Sequence, residues 1–256
     1  MNPWDIAAVA LLTLLGFVLG GGVAMVIFVR RQLRSRCKYS YVESEPLVIG
    51  REVYRYSVVP YNPLQARRPN RWLAIRSRDT LAVQAELGLR DARPCSWSEG
   101  VFASQKLFVS PPVNGWTLVF GDALPNPDED VDVSFRFLRE LSSRLGHVQF
   151  FQADPLLQHH AWAQLELGRV LRAYAWAGTT IWNQGVKTND EIAIGMNCFG
   201  YGENPGSDDW VVADHIVANV ERVYQLAHRW SLDPGEIDLR VVGGQRGLVG
   251  NITRKL

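Results

Sequence analysis

Hydrophobic positions along the chain fall into distinct regimes. Residues 6 to 29 form an uncharged apolar run in which Thr13 is the lone polar side chain. At about 1.5 Å per residue a helix of that length reaches about 36 Å, enough to cross a hydrocarbon layer of about 30 Å with some tilt. The pattern predicts one transmembrane helix. No Lys or Arg precedes the run and no A-x-A site follows it, which argues against a cleaved signal peptide. Next come a linker over residues 30 to 50 and a poorly periodic stretch broken by Pro46, Pro60, Pro63 and Pro69, around an alternating strand candidate at residues 53 to 59.

From residue 71 the pattern sharpens. Residues 71 to 75 read as a short strand, and Asp79 caps a helix that runs to Leu87 and stops at Gly88. Ser96-Trp97-Ser98-Glu99 is a capping box that opens another short helix. Residues 106 to 110 and 116 to 120 read as strands joined by a Pro-Pro-Val-Asn-Gly turn. Val131, Phe135, Leu138, Leu141 and Leu145 keep helical spacing up to Gly146, and residues 147 to 152 follow as a strand. This order of strand, helix, two strands, helix and strand predicts an α+β fold with a ferredoxin-like (βαββαβ) core. Strand candidates at 158 to 165, 169 to 177 and 180 to 184 extend it into a mainly antiparallel sheet flanked by helices. Thr188-Asn189-Asp190-Glu191 is a second capping box, and Val212, Ile216, Val220, Val223, Ala227 and Trp230 mark a long helix against the sheet. In the tail, residues 237 to 242 read as a strand and the Gly-rich remainder as a segment that docks or frays. The cytoplasmic α+β domain thus spans residues 51 to 256.

Charge orients the anchor. Arg30, Arg31, Arg34, Arg36 and Lys38 follow the apolar run, whereas Asp5 is the single charge before it. Because Lys and Arg resist translocation, residues 1 to 5 are expected outside and the domain in the cytoplasm of a single-pass cell-membrane protein. Residues 30 to 93 hold fourteen Lys or Arg against six Asp or Glu, a net +8 that favours contact with the lipid bilayer. No basic helix or base-stacking motif accompanies it, so nucleic acid is not an expected partner. Gly16, Gly20 and Ala24 recur every four residues, a small-xxx-small face that suits an anchor-mediated homodimer, although glycine is also common in membrane helices for its own sake.

Composition changes the picture little. Hydrophobic residues at 47% and charged residues at 21% mark a packing domain with no disordered class behind it. Three scattered cysteines, Cys37, Cys95 and Cys198, show neither a disulfide framework nor metal-ligand spacing, so no metal and no cofactor is expected. The nine tryptophans point to large core anchors or to an aromatic recognition surface.

His147, His159 and His160, with Asp154 nearby, are the candidates for acid/base chemistry. Neighbouring strand residues point to opposite faces, so His159 and His160 cannot serve one site. The Asp128-x-Asp130-x-Asp132 run opens like a calcium loop but carries Val133 and Arg139 where that loop needs glycine and glutamate; its place is a helix N-terminus. Trp162, Tyr174, Trp176, Trp182 and Asn183 fall on neighbouring strands and are the candidates for lining a ligand pocket, with core packing as the competing role. No G-x-S-x-G, phosphate-loop, H-E-x-x-H or kinase pattern occurs.

Four stretches carry a resemblance: Pro94-Cys95-Ser96-Trp97, Leu107 to Pro112 with Gly115-Trp116, Leu145 to Phe151, and Arg172 to Gly178. They resemble an uncharacterised family of bacterial proteins over roughly residues 70 to 240. The resemblance implies a bacterial source and brings no activity, cofactor or site residue. The sequence thus predicts a membrane-anchored cytoplasmic binding module, with a membrane-bound hydrolase using His159 or His160 and an acidic partner as the alternative.

Overall fold

The computed structural model describes residues 68–101, 103, 106–203, 210–238, 242 and 244–252, with backbone alone for residues 210–215 and 217. The predicted transmembrane helix, the linker and the strand candidate at 53 to 59 lie outside these residues. Among the described residues no helix is long and apolar enough to cross a membrane.

The described elements are β1 (Arg71–Ile75), α1 (Thr80–Glu86), β2 (Leu89–Cys95), α2 (Trp97–Val101), β3 (Leu107–Val109), β4 (Thr117–Phe120), α3 (Val131–Leu145), β5 (His147–Asp154), β6 (His159–Glu166), β7 (Arg169–Trp176), β8 (Thr180–Gln184), α4 (Asn189–Ala193), α5 (Trp210–Trp230), a short 3-10 turn (Pro234–Glu236) and β9 (Gly247–Ile252). The strands form one sheet in the order β2-β9-β3-β4-β1-β5-β6-β7-β8. Every neighbouring pair is antiparallel.

Strand β1 shows why the sheet is buried on both sides. Trp72 and Ala74 point to one face and Leu73 and Ile75 to the other, and all four are fully buried. Helices α1 and α3 cover the second face, where Leu73, Val83, Leu138, Leu141, Val148 and Phe150 form an apolar cluster. Helix α5 covers the first face, where Trp72 stacks between Phe151 at 5.1 Å and Tyr224 at 5.3 Å. Trp162, Tyr174, Val223 and Ala227 belong to the same cluster.

The helix starts follow their capping chemistry. Asp79 accepts from Leu81 and Ala82 N–H groups at the head of α1, and Asp130 accepts from Val133 N–H at the head of α3. Thr188 and Glu191 form the reciprocal capping box at α4. The tight β6–β7 turn is set by Leu167 (φ 48°) and Gly168 (φ 76°), a pair of positive φ values that suits a two-residue hairpin loop.

The tail corrects one expectation. Ile237 and Asp238 belong to no strand, residues 239–241 lie outside the description, and Val242 is helical. The strand sits instead in the Gly-rich stretch as β9, inserted between β2 and β3. Glycine permits that insertion: a Cβ on Gly247 would lie 2.5 Å from Val109 O, and one on Gly250 would lie 2.8 Å from Arg90 O. Its partner β2 also escapes sequence periodicity, because Arg90, Asp91, Arg93 and Pro94 leave it without apolar alternation.

Candidate functional site: a polar groove outside helix α5

The three predicted acid/base histidines go to three separate places. His147 opposes Glu166 and His160 opposes Ala153, at opposite ends of the β5–β6 pair. His147 Nε2 lies 3.0 Å from Gln149 Nε2 and 3.4 Å from Gln164 Nε2, and burial lowers its pKa below the ordinary imidazole value. His159 and His160 face opposite sides of the sheet. His159 Nδ1 meets Asp128 Oδ2 at 2.8 Å, and Gln152 Nε2 donates to the same oxygen at 2.9 Å. The predicted acidic neighbour Asp154 does something else: its Oδ1 accepts from Leu156 N at 2.9 Å and Leu157 N at 3.1 Å, closing the β5–β6 turn.

His160 is fully buried, stacked 5.8 Å from Trp162 and 6.0 Å from Tyr174. Asn219 fixes its tautomer. The Asn219 Oδ1 accepts from Asn197 N at 2.9 Å, so its Nδ2 is the atom that donates to Asn197 O at 2.6 Å and lies 3.2 Å from His160 Nε2. That nitrogen must accept, which leaves the ring proton on Nδ1, on the side of the Gln158 backbone. Burial pushes the His160 pKa down to about 3, so the ring is neutral at physiological pH.

The aromatic candidates separate as well. Trp162, Tyr174 and Trp176 lie under α5, whereas Trp182 faces the other way and packs edge-on against Phe135 at 5.9 Å. Beside the first three runs a closed polar network whose members lie far apart in the sequence. The Arg172 side chain, 2% exposed, donates from Nε to Glu191 Oε1 at 2.9 Å, and Glu191 is fully buried. Trp162 Nε1 donates to the same carboxylate oxygen at 2.8 Å, and Thr188 N donates to the other at 2.7 Å. Arg172 Nη1 reaches Asn183 Oδ1 at 2.9 Å and Gln184 O at 3.1 Å, which secures β8. Cys198 Sγ lies 3.2 Å from Arg172 Nη2, yet burial pushes its thiol up to about 11, so it is held as a thiol. Arg172, set inside the strand Arg169–Trp176 just before its apolar run Ala173–Trp176, was the available signal for this network, since a buried guanidinium demands a carboxylate.

Outside α5 the surface is different. A groove of about 520 Å³ runs between its outer side and the 3-10 turn. Pro155, Ile194 and Val220 supply apolar lining, and Glu221, Gln225, His228 and Arg229 line it from the helix. Arg68 lies over the Tyr224 ring at 4.5 Å and 3.5 Å from Asp233. His228 Nδ1 meets Glu236 at 2.6 Å, and Arg229 meets Asp190 at 3.4 Å. Asp233 accepts from Gly235 N at 2.7 Å, and burial raises its carboxyl above the usual range. The same cause pushes the Tyr224 phenol up to about 12.

The groove thus carries both signs of charge beside apolar lining, with the His228–Glu236 and Arg229–Asp190 pairs exposed and Asp233 buried beneath Arg68. Among the described residues no group of three or more His, Cys, Asp or Glu is placed to hold a metal ion. No protein-family model, curated protein or solved structure matches the chain.

Proposed function

We propose that the protein is a membrane-anchored binding module, held by a transmembrane helix at residues 6 to 29 with its domain in the cytoplasm, and that the groove outside α5 receives a protein partner. The observation that carries this reading is the contrast between committed and exchangeable polar groups. Glu191, Arg172 and Asn219 beneath α5 are bound to one another or to buried neighbours, whereas His228, Arg229 and Glu236 pair at the surface. Exposed pairs are worth about 0–1 kcal/mol, so a peptide carrying both charges can replace them at little cost. The strand order β3-β4-β1-β5, with α1 and α3 on one face, supports reading the scaffold as a ferredoxin-like core extended on both sides. The resemblance to bacterial proteins belongs with this reading as a proposal about source.

A photo-reactive amino acid placed at Gln225 in the full chain, within its native membrane, tests the reading. The expected result is a discrete adduct that disappears when Glu221→Arg and Arg229→Glu reverse the groove charges, with none from the same probe at Arg136 on α3. Equal labelling from both positions, or adducts indifferent to charge reversal, contradicts the groove as binding site.

One contact favours a second reading, a membrane-bound hydrolase. Asp128 stands against His159 as an acidic partner that holds Nδ1 and leaves Nε2 as the base. On that reading, nitrophenyl ester or phosphoester turnover by the full chain falls at least about a hundredfold in both His159→Gln and Asp128→Asn. Turnover unchanged in either variant removes it.

A further inference from the structure

The two outer strands of the sheet are protected in different ways. At one edge β2 carries Arg90, Asp91, Arg93 and Pro94, has Asp91 at φ 53°, and shifts register against β9 between Arg90 and Arg93. Charge, proline and bulge together oppose the addition of another strand. At the other edge, residues 177 to 186 contain no charged side chain. The Tyr201 hydroxyl caps the backbone of Asn183 there. Asn183 N–H donates to Tyr201 Oη at 2.7 Å, and Tyr201 Oη–H donates to Asn183 O at 3.3 Å. One phenol thus makes both bonds that a neighbouring strand would make at this residue.

The loop behind Tyr201 is built to release it. Its root is pinned, because Phe199 N donates to Tyr174 Oη at 3.1 Å and Phe199 O accepts from Thr180 Oγ1 at 3.0 Å. Its tip is open: Tyr201 is 63% exposed and Gly202 follows at φ 74°. Tyr201 can leave Asn183 without disturbing the core beneath it.

We propose that β8 is a self-association edge whose occupant is β8 of a second copy of this chain, and that the Tyr201 hydroxyl is the plug that copy displaces. Two features select a second copy. Antiparallel pairing of identical strands about Asn183 is its own two-fold complement, and with residues 177 to 186 uncharged it sets no like charges against each other. Among the described residues the protected β2 edge then leaves no second place to add, so association stops at a closed dimer and does not grow into a fibre.

The test is sedimentation equilibrium of the full chain in detergent, comparing wild type, Tyr201→Phe and Tyr201→Phe/Gln184→Lys, with amide exchange read at Asn183. Tyr201→Phe keeps the ring and removes both competing bonds, so the dimer dissociation constant falls by about tenfold. Gln184 is exposed on β8, and lysine there supplies the missing edge charge, which returns the double variant to wild-type association or weaker. Any contribution of the membrane anchor is common to all three proteins and cancels. If Tyr201→Phe sediments as wild type while its Asn183 amide exchanges faster, the plug is real and the second-copy occupant is overturned. If neither association nor exchange changes, the plug is overturned. Growth beyond dimers overturns the closure argument.

Discussion

The two faces of the sheet bury comparable cores and do so by opposite means. Toward α1 and α3 the interior is closed by Leu73, Val83, Leu138, Leu141, Val148 and Phe150, with no charged side chain fully buried among them. Toward α5 the interior encloses Arg172, Glu191, His160 and Asn219 among its aromatic rings. Apolar packing is tolerant: any shape of about the right volume gives a stable face. A buried ionic network is not, because each member must find its partner before the face can close. The α5 face is therefore the one that specifies where β8, α4 and the following loop sit.

The largest effect should come from breaking the network on one side only. Glu191→Ala leaves Arg172 buried without its carboxylate and removes the acceptor of Trp162, for an expected loss of about 3–5 kcal/mol in urea unfolding. The double variant Arg172→Met/Glu191→Leu should recover most of it, since no unpaired charge remains. On the other face Leu138→Ala should cost about 3 kcal/mol through the cavity it opens, and here no second substitution of a polar partner can restore it. A recovery in the first case with none in the second would confirm that the faces close differently; equal behaviour would erase the distinction.

Acid should find the α5 face first. The folded-state pKa of His160 is depressed to about 3 from the ordinary 6.5, so the unfolded chain binds the proton more readily. The stability contribution is complete above pH 6.5 and is lost as pH falls toward 3, at roughly 1.4 kcal/mol per pH unit for this group. His160→Gln should flatten that slope in denaturant titrations between pH 6 and pH 4 while Leu138→Ala leaves it intact. The smallest effect is expected at Asp128→Asn, which weakens the link from the loop before α3 to His159; a loss of about 1 kcal/mol is expected because both side chains keep some solvent contact.

The difference between the faces also decides what the sequence could reveal. Helix α3 was legible because Val131 through Leu145 repeat with helical period and Asp130 and Gly146 bracket them. Strands β5 to β8 were legible for the same local reasons, and so was the opposition of His159 and His160. The network was not, since Arg172 and Glu191 are joined across 19 positions and His160 and Asn219 across 59, distances over which no periodicity speaks. Strands β2 and β9 were missed because one is charged and the other glycine-rich, and each becomes a strand only by pairing with the other. The groove was invisible as well: it is assembled from Arg68, Pro155, Ile194, one side of α5 and the region of the 3-10 turn, segments far apart in the chain.

That the polar groups under α5 are sealed structural members is tested most directly by nitrogen NMR of the His160 imidazole across pH 8 to 4. The expected result is a ring that stays neutral throughout, with its proton on Nδ1 and Nε2 accepting from Asn219. An imidazole that titrates near the ordinary 6.5, or whose ring proton sits on Nε2, would contradict it.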